Sequence, residues 1–519
     1  MISNFNKKIQ NLLQQNDDYN ELDDNGKLLF EKILEDKNIL IHGPGGTGKT
    51  YLIKIIRTIL NRIYYTLNYD KFVYCVGPTG VSAVEIKGTT IHSCLGLGAP
   101  HTDHIYELDM NYELETDIDK KRDMENLRMQ YINKLVSELY YKIKSNKKVI
   151  YRWKKIKILI IDEISMVGKI FIEIIDRLAK LILDNNCPMG GIQVIFCGDF
   201  YQLPPVKDDW IFKTTTWNNL NLYIHNLSVP KRYKDIDFYN MLLRIRKHKE
   251  TEEDMKKLLN RYNEYKLLKE KIYNSSKDNL NNDDILPTML YAKNINANDK
   301  NEKELAKLKG KKYIFKATDT VHKIINRQNL PPEKERNKLL SYQIPEILSY
   351  KIGAQVMLRY NLDIDNELIN GSRGIITDIV VRKIPVVNSN VQTEFIDEYV
   401  PTIGADKIND DTQYIIEKYI TVKFKNGISY NVEPINYTIE TPDYEISRKQ
   451  FPLILAWSYT IHKSQGCTLD SVIIDLGDIF ADGQAYVSLS RVRSLDGLYI
   501  KNMSQSCIHC DQEVLSYFG

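Results

Sequence analysis

The stretch HGPGGTGKTY, residues 42–51, places four glycines in ten residues and runs through Lys49 and Thr50. Each glycine held in an ordered segment costs conformational entropy, so such a cluster marks a backbone that bends sharply or lies against a ligand. With Gly43, Gly48, Lys49 and Thr50 in register, the stretch fits the phosphate-loop spacing G-x-x-x-x-G-K-T. In that loop successive N–H groups turn inward on a nucleotide's phosphates, and side chains would block the approach. Gly43, Gly45, Gly46, Thr47, Gly48, Lys49 and Thr50 are therefore the expected nucleotide-binding residues. The context agrees: KNILIHG reads as a buried strand, and TYLIKIIRTILNRI carries Leu52, Ile55, Ile56, Ile59 and Ile63 on one helical face.

Further buried-strand runs follow at KFVYCVGP, IKILIIDE and IQVIFCGD, with a helix-like GKIFIEIIDRLAKLILDN before the last. Strands alternating with helices predict an α/β fold with a mostly parallel sheet covered on both faces. Residues 99–152 break the pattern. Their first half is acidic (Glu107, Asp109, Glu113, Glu115, Asp117, Asp119) and their second half basic (Lys134, Lys142, Lys144, Lys147, Lys148, Arg152). This reads equally as a solvated helical excursion or as an arm facing nucleic acid. A second α/β unit begins near Lys231 and resumes at FPLILAWSYT and DSVIIDLG, while RGIITDIVV and YITVKFKNGISYNVEP, with its Asn-Gly turn, read as short β-strands. The expected organisation is a first unit over 1–98 and 153–230, an insertion over 99–152, a second unit over 231–371 and 449–519, and a small β-barrel-like insertion over 372–448. A chain of 519 residues has room for these parts.

No run of eighteen apolar residues occurs, and the N-terminus lacks the apolar block of a secretion signal. Membrane insertion and secretion are therefore not expected, and a soluble intracellular location is. The net charge of only +3 means that any nucleic-acid binding must rest on local patches. Of the seven cysteines, only Cys507 and Cys510 form a C-x-x-C, with no second pair at zinc-site spacing.

Asp162 and Glu163 close the run ILIIDE, where a phosphate-loop protein carries its acidic pair. Asp162 would hold Mg²⁺ together with the Thr50 hydroxyl, and Glu163 would orient and deprotonate the attacking water. In GDFYQLPPV, Gln202 has the amide to meet both the γ-phosphate and that water. Arg232 and Arg491 are candidate arginine fingers, planar cations able to stabilise charge on the leaving phosphate. TIHSCLGLG and TIHKSQGCTL share a Thr-Ile-His core, one in each unit. Their hydroxyls, histidines and lysine, including His92 and Ser93, suit contacts to a nucleic-acid backbone. Tyr201, Trp457 and Tyr459 could stack on bases, a role that competes with simple core packing.

Taken in order, GPGGTGKT, VGPTGVSAVEIKGTTIHSCLGLG, ILIIDEISMV, DRLAKLILDNNCPMGGIQVIFCGDF, GDFYQLPPV, KIGAQVMLRYNLDIDNELINGSRG, AWSYTIHKSQGCTL and AYVSLSRVRSLDGL resemble the PIF-type branch of superfamily-one helicases, relatives of the RecD family. The resemblance implies two RecA-like lobes that hydrolyse ATP with Mg²⁺ at their cleft and move five-prime to three-prime on single-stranded DNA. Such a motor would open duplex junctions in replication, repair or recombination, and it would act as a monomer. It further implies that Thr79, Gly80, His92, Thr460, His462 and Lys463 line the DNA track, that Gly466 approaches the nucleotide, and that Arg232 and Arg491 come from the second lobe. Where the family carries a glutamine that reads adenine, this chain has Asn25 and Gly26. An RNA-directed helicase and a nucleotide-gated remodeller that does not unwind are the alternative readings.

Overall fold

The computed structural model describes residues 2–519 apart from 80–81, 84–85, 99–101, 278–284, 293, 324–332, 364–365, 386–413, 441–443, 462–463 and 504–506. Gly80, His462 and Lys463 therefore lie outside the described residues. Among the described residues no helix is long and apolar enough to cross a membrane.

The first six strands, β1 (Ile39–His42), β2 (Phe72–Gly77), β3 (Thr89–Thr90), β4 (Ile156–Ile161), β5 (Gln193–Gly198) and β6 (Tyr223–Asn226), form one sheet in the order β3-β2-β4-β5-β1-β6. Every pairing in it is parallel. Both faces are covered, which is why β1, β4 and β5 read as unbroken apolar runs. Ile39, Ile41, Ile158 and Ile160 pack beneath the helices Asp24–Leu34 and Lys49–Thr66. The alternate residues Leu40, Leu159, Ile161 and Phe196 pack with the helix Lys169–Leu183 on the other face. The carboxyl ends of β1, β4 and β5 are thus neighbours, at the edge where open parallel sheets place their ligands.

The charged segment is helical, with helices Asp103–Leu114, Ile118–Ser145 and Lys147–Lys155. Its second half is not a free arm: Ile132, Val136, Leu139 and Ile143 are buried in the first unit's core. Arg152, one of the basic residues there, is itself buried and donates to the carbonyls of Ser93 and Cys94 at 3.0 and 2.6 Å.

A second, four-stranded sheet runs in the order Ser458–Thr460, Thr288–Tyr291, Val472–Asp475, Leu498–Asn502, again with parallel pairings. Between its strands in sequence lies antiparallel structure: a five-stranded sheet that includes Arg373–Pro385 and Tyr414–Phe424, and a three-stranded one built on Ile435–Glu440 and Tyr444–Gln450. These sheets also recruit Thr318–Lys323, Gln355–Leu358 and Leu453–Leu455, from outside 372–448. Val356, Met357 and Leu358 are wholly buried. A short buried run reads the same in either kind of sheet, so periodicity could not place that edge.

The chain's last helix, Gln512–Phe518, crosses back to the first unit. Phe518 lies against Phe200 and His42, with ring centroids 4.8 and 4.9 Å apart, and the Tyr517 hydroxyl accepts from Trp217 Nε1 at 2.9 Å. Cys507 and Ile508 sit in the second unit's core, whereas Cys510 and Val514 sit in the first's.

Candidate nucleotide site at the seam of two sheets

The glycine-rich loop leaves β1 and enters the helix Lys49–Thr66, with Gly46 and Gly48 at φ 83° and 89°. These are left-handed values that a residue with a Cβ adopts at a cost. At Gly46 a side chain is also excluded sterically, because a Cβ would stand 2.8 Å from Arg232 Cβ. Lys49 Nζ is folded back on the loop and donates to the carbonyls of Gly43 and Pro44 at 2.7 and 2.9 Å, and the Thr47 hydroxyl donates to Pro44 O at 2.9 Å. Thr50 follows in the first helical turn.

Asp162 and Glu163 come directly after β4. Asp162 is buried, and its Oδ1 accepts from the Glu163 N–H at 2.9 Å. Glu163 is held at φ 50°, a left-handed position for a residue with a side chain, and strain of this kind concentrates at functional sites. Burial pushes the Glu163 carboxyl up to about 7, with Asp162 adding to the shift and Lys49 and Arg491 opposing it. Among the described residues no three His, Cys, Asp or Glu side chains are grouped to hold a metal ion. Magnesium arrives with a triphosphate and takes only one or two protein oxygens. The Thr50 hydroxyl and the Asp162 carboxylate supply that kind of hard donor.

Gln202, after β5, is buried, and its Nε2 reaches Asp199 Oδ2 at 3.4 Å. Gln465, from the second unit, spans the seam by donating to Gln202 Oε1 at 3.3 Å and to Glu163 Oε2 at 3.5 Å. Gly466, next to it, offers its carbonyl to Arg232 Nη2 at 3.4 Å.

The two arginines arrive by different routes. Arg232 lies on the connection leaving β6, where its own N–H donates to Gly46 O at 3.0 Å and its Nη1 reaches across to Ser490 O at 2.9 Å. Arg491 follows the helix Gln484–Leu489 of the second unit and is 1% exposed. Among the described residues its guanidinium donates only to neutral acceptors: Val487 O at 2.7 Å, Ser464 O at 3.1 Å and the Ser490 hydroxyl at 2.7 Å. Burial, and then the nearby Arg232, hold its pKa below the ordinary arginine value. A Cβ built on Gly45 would lie 3.7 Å from both Arg491 Nη2 and Gln202 Nε2, so cation, amide and phosphate loop meet at one place.

A second network, which sequence reasoning missed, lies beneath this one. Arg246 ends the helix Ile236–Arg246, which packs in the second unit's core, and grips Asp199 of the first unit. Nη2 donates to Oδ1 at 2.7 Å and Nε to both oxygens at 3.1 Å. Burial alone would raise the Asp199 carboxyl, but Arg246 outweighs it and holds the group below the usual range. Arg246→Ala should destabilise the protein by about 3–5 kcal/mol, because it strands a buried carboxylate. The urea-unfolding midpoint checks this, and an unchanged midpoint would mean that the pair contributes nothing net.

His42, at the end of β1, lies 3.7 Å from Asp199 Oδ1. Burial lowers its pKa to about 4 against the pull of Asp199, with Arg246 and Lys49 reinforcing the shift. The unfolded chain takes up this proton near pH 6.5 and the folded one only near 4. The neutral imidazole's contribution is therefore complete above pH 6.5 and is lost as pH falls through that window. Wild type should lose more stability between pH 7 and pH 4.5 than His42→Gln does; equal losses would exclude His42 as the cause.

The described residues among the expected DNA contacts are each engaged locally or buried. Thr79 closes its own turn, with its hydroxyl 3.1 Å from Ser82 Oγ. His92 stacks on Phe171 with centroids 4.7 Å apart, and the Ser93 N–H is taken by Thr90 Oγ1 at 3.3 Å. Thr460 is buried at the end of its strand. Tyr201 corrects the stacking expectation: it is 2% exposed, and its ring is covered by the Arg246 guanidinium, 4.0 Å from the centroid. No face remains for a base. Tyr459 is likewise buried, with Arg359 over its ring.

The family description "PIF1-like helicase" matches residues 21–127 and 128–267, and "DNA helicase Pif1, 2B domain" matches 337–379. The protein named ATP-dependent DNA helicase PIF1 of Danio rerio is 30% identical over 495 residues, covering 94% of this chain and 62% of its own length. The protein of the same name in Candida albicans is 29% identical over 561 residues, covering 94% of this chain and 55% of its own. The crystal structure of Pif1 helicase from Candida albicans superposes with a TM-score of 0.61 at 28% identity, covering 96% of this chain and 98% of that one. The chain belongs to the Pif1-like helicase family and has its RecA-like α/β fold. It spans 55–62% of the length of the two named relatives.

Proposed function

We propose that the chain is an ATP-dependent DNA helicase that moves five-prime to three-prime along single-stranded DNA and separates duplexes at junctions. One observation carries this reading: Arg491 of the second unit lies, fully buried and hydrogen-bonded among the described residues only to neutral groups, against the phosphate loop of the first. A cation so placed gains a directly bonded anionic partner when a polyphosphate enters the loop, which ties nucleotide state to the closure of two lobes.

On this reading the first lobe is 1–98 and 153–230, the second 231–371 and 449–519, with insertions at 99–152 and 372–448. Gly43, Gly45, Gly46, Thr47, Gly48 and Lys49 cradle the phosphates. Thr50 and Asp162 hold Mg²⁺, which when bound neutralises phosphate charge. Glu163, its pKa raised toward neutrality, orients the attacking water and takes its proton; Gln202, steadied by Asp199 and Gln465, senses the γ-phosphate. Arg232 and Arg491 stabilise charge on the leaving phosphate. Thr79, Gly80, His92, Ser93, Thr460, His462 and Lys463 grip the DNA backbone, and hydrolysis relaxes the grip of one lobe against the other. Tyr201 is left out of this track.

The test is strand separation on duplexes carrying a single-stranded tail at one end, with DNA or RNA tails, with and without ATP. The expected result is ATP-dependent opening of five-prime DNA-tailed substrates alone. Opening of only three-prime-tailed or RNA-tailed substrates, or ATP-stimulated binding with no separation, would overturn the reading.

A further inference from the structure

The short helix Gln484–Leu489 belongs to the second unit, yet one of its side chains reaches the phosphate loop itself. The Tyr486 hydroxyl accepts a hydrogen bond from the Gly45 N–H at 2.9 Å, and its ring is 3% exposed. The helix is held there by a close backbone approach. Gly483, just before it, lies so near the carbonyls of Tyr201 and Gln202 that a Cβ would stand 2.5 and 2.7 Å from them. Tyr486 is therefore registered against the Gln202 segment by main-chain contact.

The hydroxyl's own hydrogen has no acceptor among the described residues. Around the point that a Gly45 Cβ would occupy, three polar atoms converge: Tyr486 Oη at 3.6 Å, and Arg491 Nη2 and Gln202 Nε2 at 3.7 Å. Two of these already bear the proposed γ-phosphate roles. Burial keeps the phenol protonated at any working pH, because its pKa is pushed well above the usual tyrosine value. A protonated hydroxyl that spends its lone pair on the loop has a donor to spare, and hydrogen bonds to charged acceptors are the stronger kind.

Building on the nucleotide reading above, we infer that Tyr486 is a γ-phosphate-binding residue: its O–H donates to the terminal phosphate of bound ATP while its oxygen keeps the Gly45 N–H. The residue thereby distinguishes a triphosphate from a diphosphate. Arg491 lies five residues further along the same segment, so the bond also draws the second unit onto the loop.

Tyr486→Phe tests this, since it removes one oxygen and leaves the buried ring. Affinity for a non-hydrolysable ATP analogue and for ADP is measured by displacement of a fluorescent nucleotide, alongside the thermal unfolding midpoint and steady-state hydrolysis with single-stranded DNA. The expected result is a loss of about 10- to 100-fold in affinity for the triphosphate analogue, the range for a hydrogen bond to a charged group, with ADP affinity and the unfolding midpoint unchanged. Hydrolysis at saturating ATP falls as well. Equal losses for both nucleotides would show that the hydroxyl only supports the loop, and no loss for either would remove it from the site; both outcomes overturn the inference. A wild-type protein that binds nucleotide but fails to open DNA would sink the helicase reading alone, because the binding comparison still decides the role of Tyr486.

Discussion

Lys49→Ala abolishes ATP hydrolysis and strand separation together, with turnover down by about 10²- to 10³-fold or more, the usual loss when one preorganised donor to developing charge is removed. The ammonium now rests on the carbonyls of Gly43 and Pro44, poised over the loop. Its loss removes no packing: Lys49 is only half-buried and sits at the start of an amphipathic helix whose core face is Leu52, Ile53, Ile56 and Ile59. The unfolding transition should therefore stay where it is. A variant that kept unwinding DNA would show that the glycine loop is not where the phosphates bind.

Arg491→Ala separates binding from chemistry. Nucleotide affinity should persist, since the loop's N–H groups are intact, while turnover falls by about 10³- to 10⁵-fold, the range for an arginine finger. The guanidinium is buried and makes no ion pair with a carboxylate among the described residues, so its removal breaks no salt bridge. Arg491→Lys keeps the charge but not the planar fork, and it should recover only a small part of the rate. Normal turnover in either variant would count against a finger at this position. The comparison with Tyr486→Phe is informative, because that variant should weaken triphosphate binding first, whereas Arg491→Ala should act chiefly on the rate.

Much of the site was legible in the chain because its chemistry is written locally. The glycines, Lys49 and Thr50 are consecutive, Asp162 and Glu163 end an apolar run, and Gln202 lies four residues past the end of β5. Gln465 and Tyr486 lay inside quoted motifs, TIHKSQGCTL and AYVSLSRVRSLDGL, but nothing in their spacing marked them as bridging residues. Arg246 carried no signal at all. It is one cation among several in LLRIRKHK, and only the fold reveals that it is buried on Asp199 while Arg244 pairs with Asp254 on the same helix's outer side. Tyr201 was misread for the converse reason: an aromatic beside a strand end looks the same in sequence whether its face is open or capped by a guanidinium.

By itself the sequence determined the parallel α/β fold and the phosphate loop, because hydrophobic period, glycine placement and strand-end carboxylates act over a few residues. The tertiary structure decided which side chains close the seam. Gly45 and Tyr486 are 441 residues apart, and Glu163 and Gln465 are 302 apart. Contacts across such separations depend on how two independently packed sheets are set against each other, and no local pattern encodes that geometry.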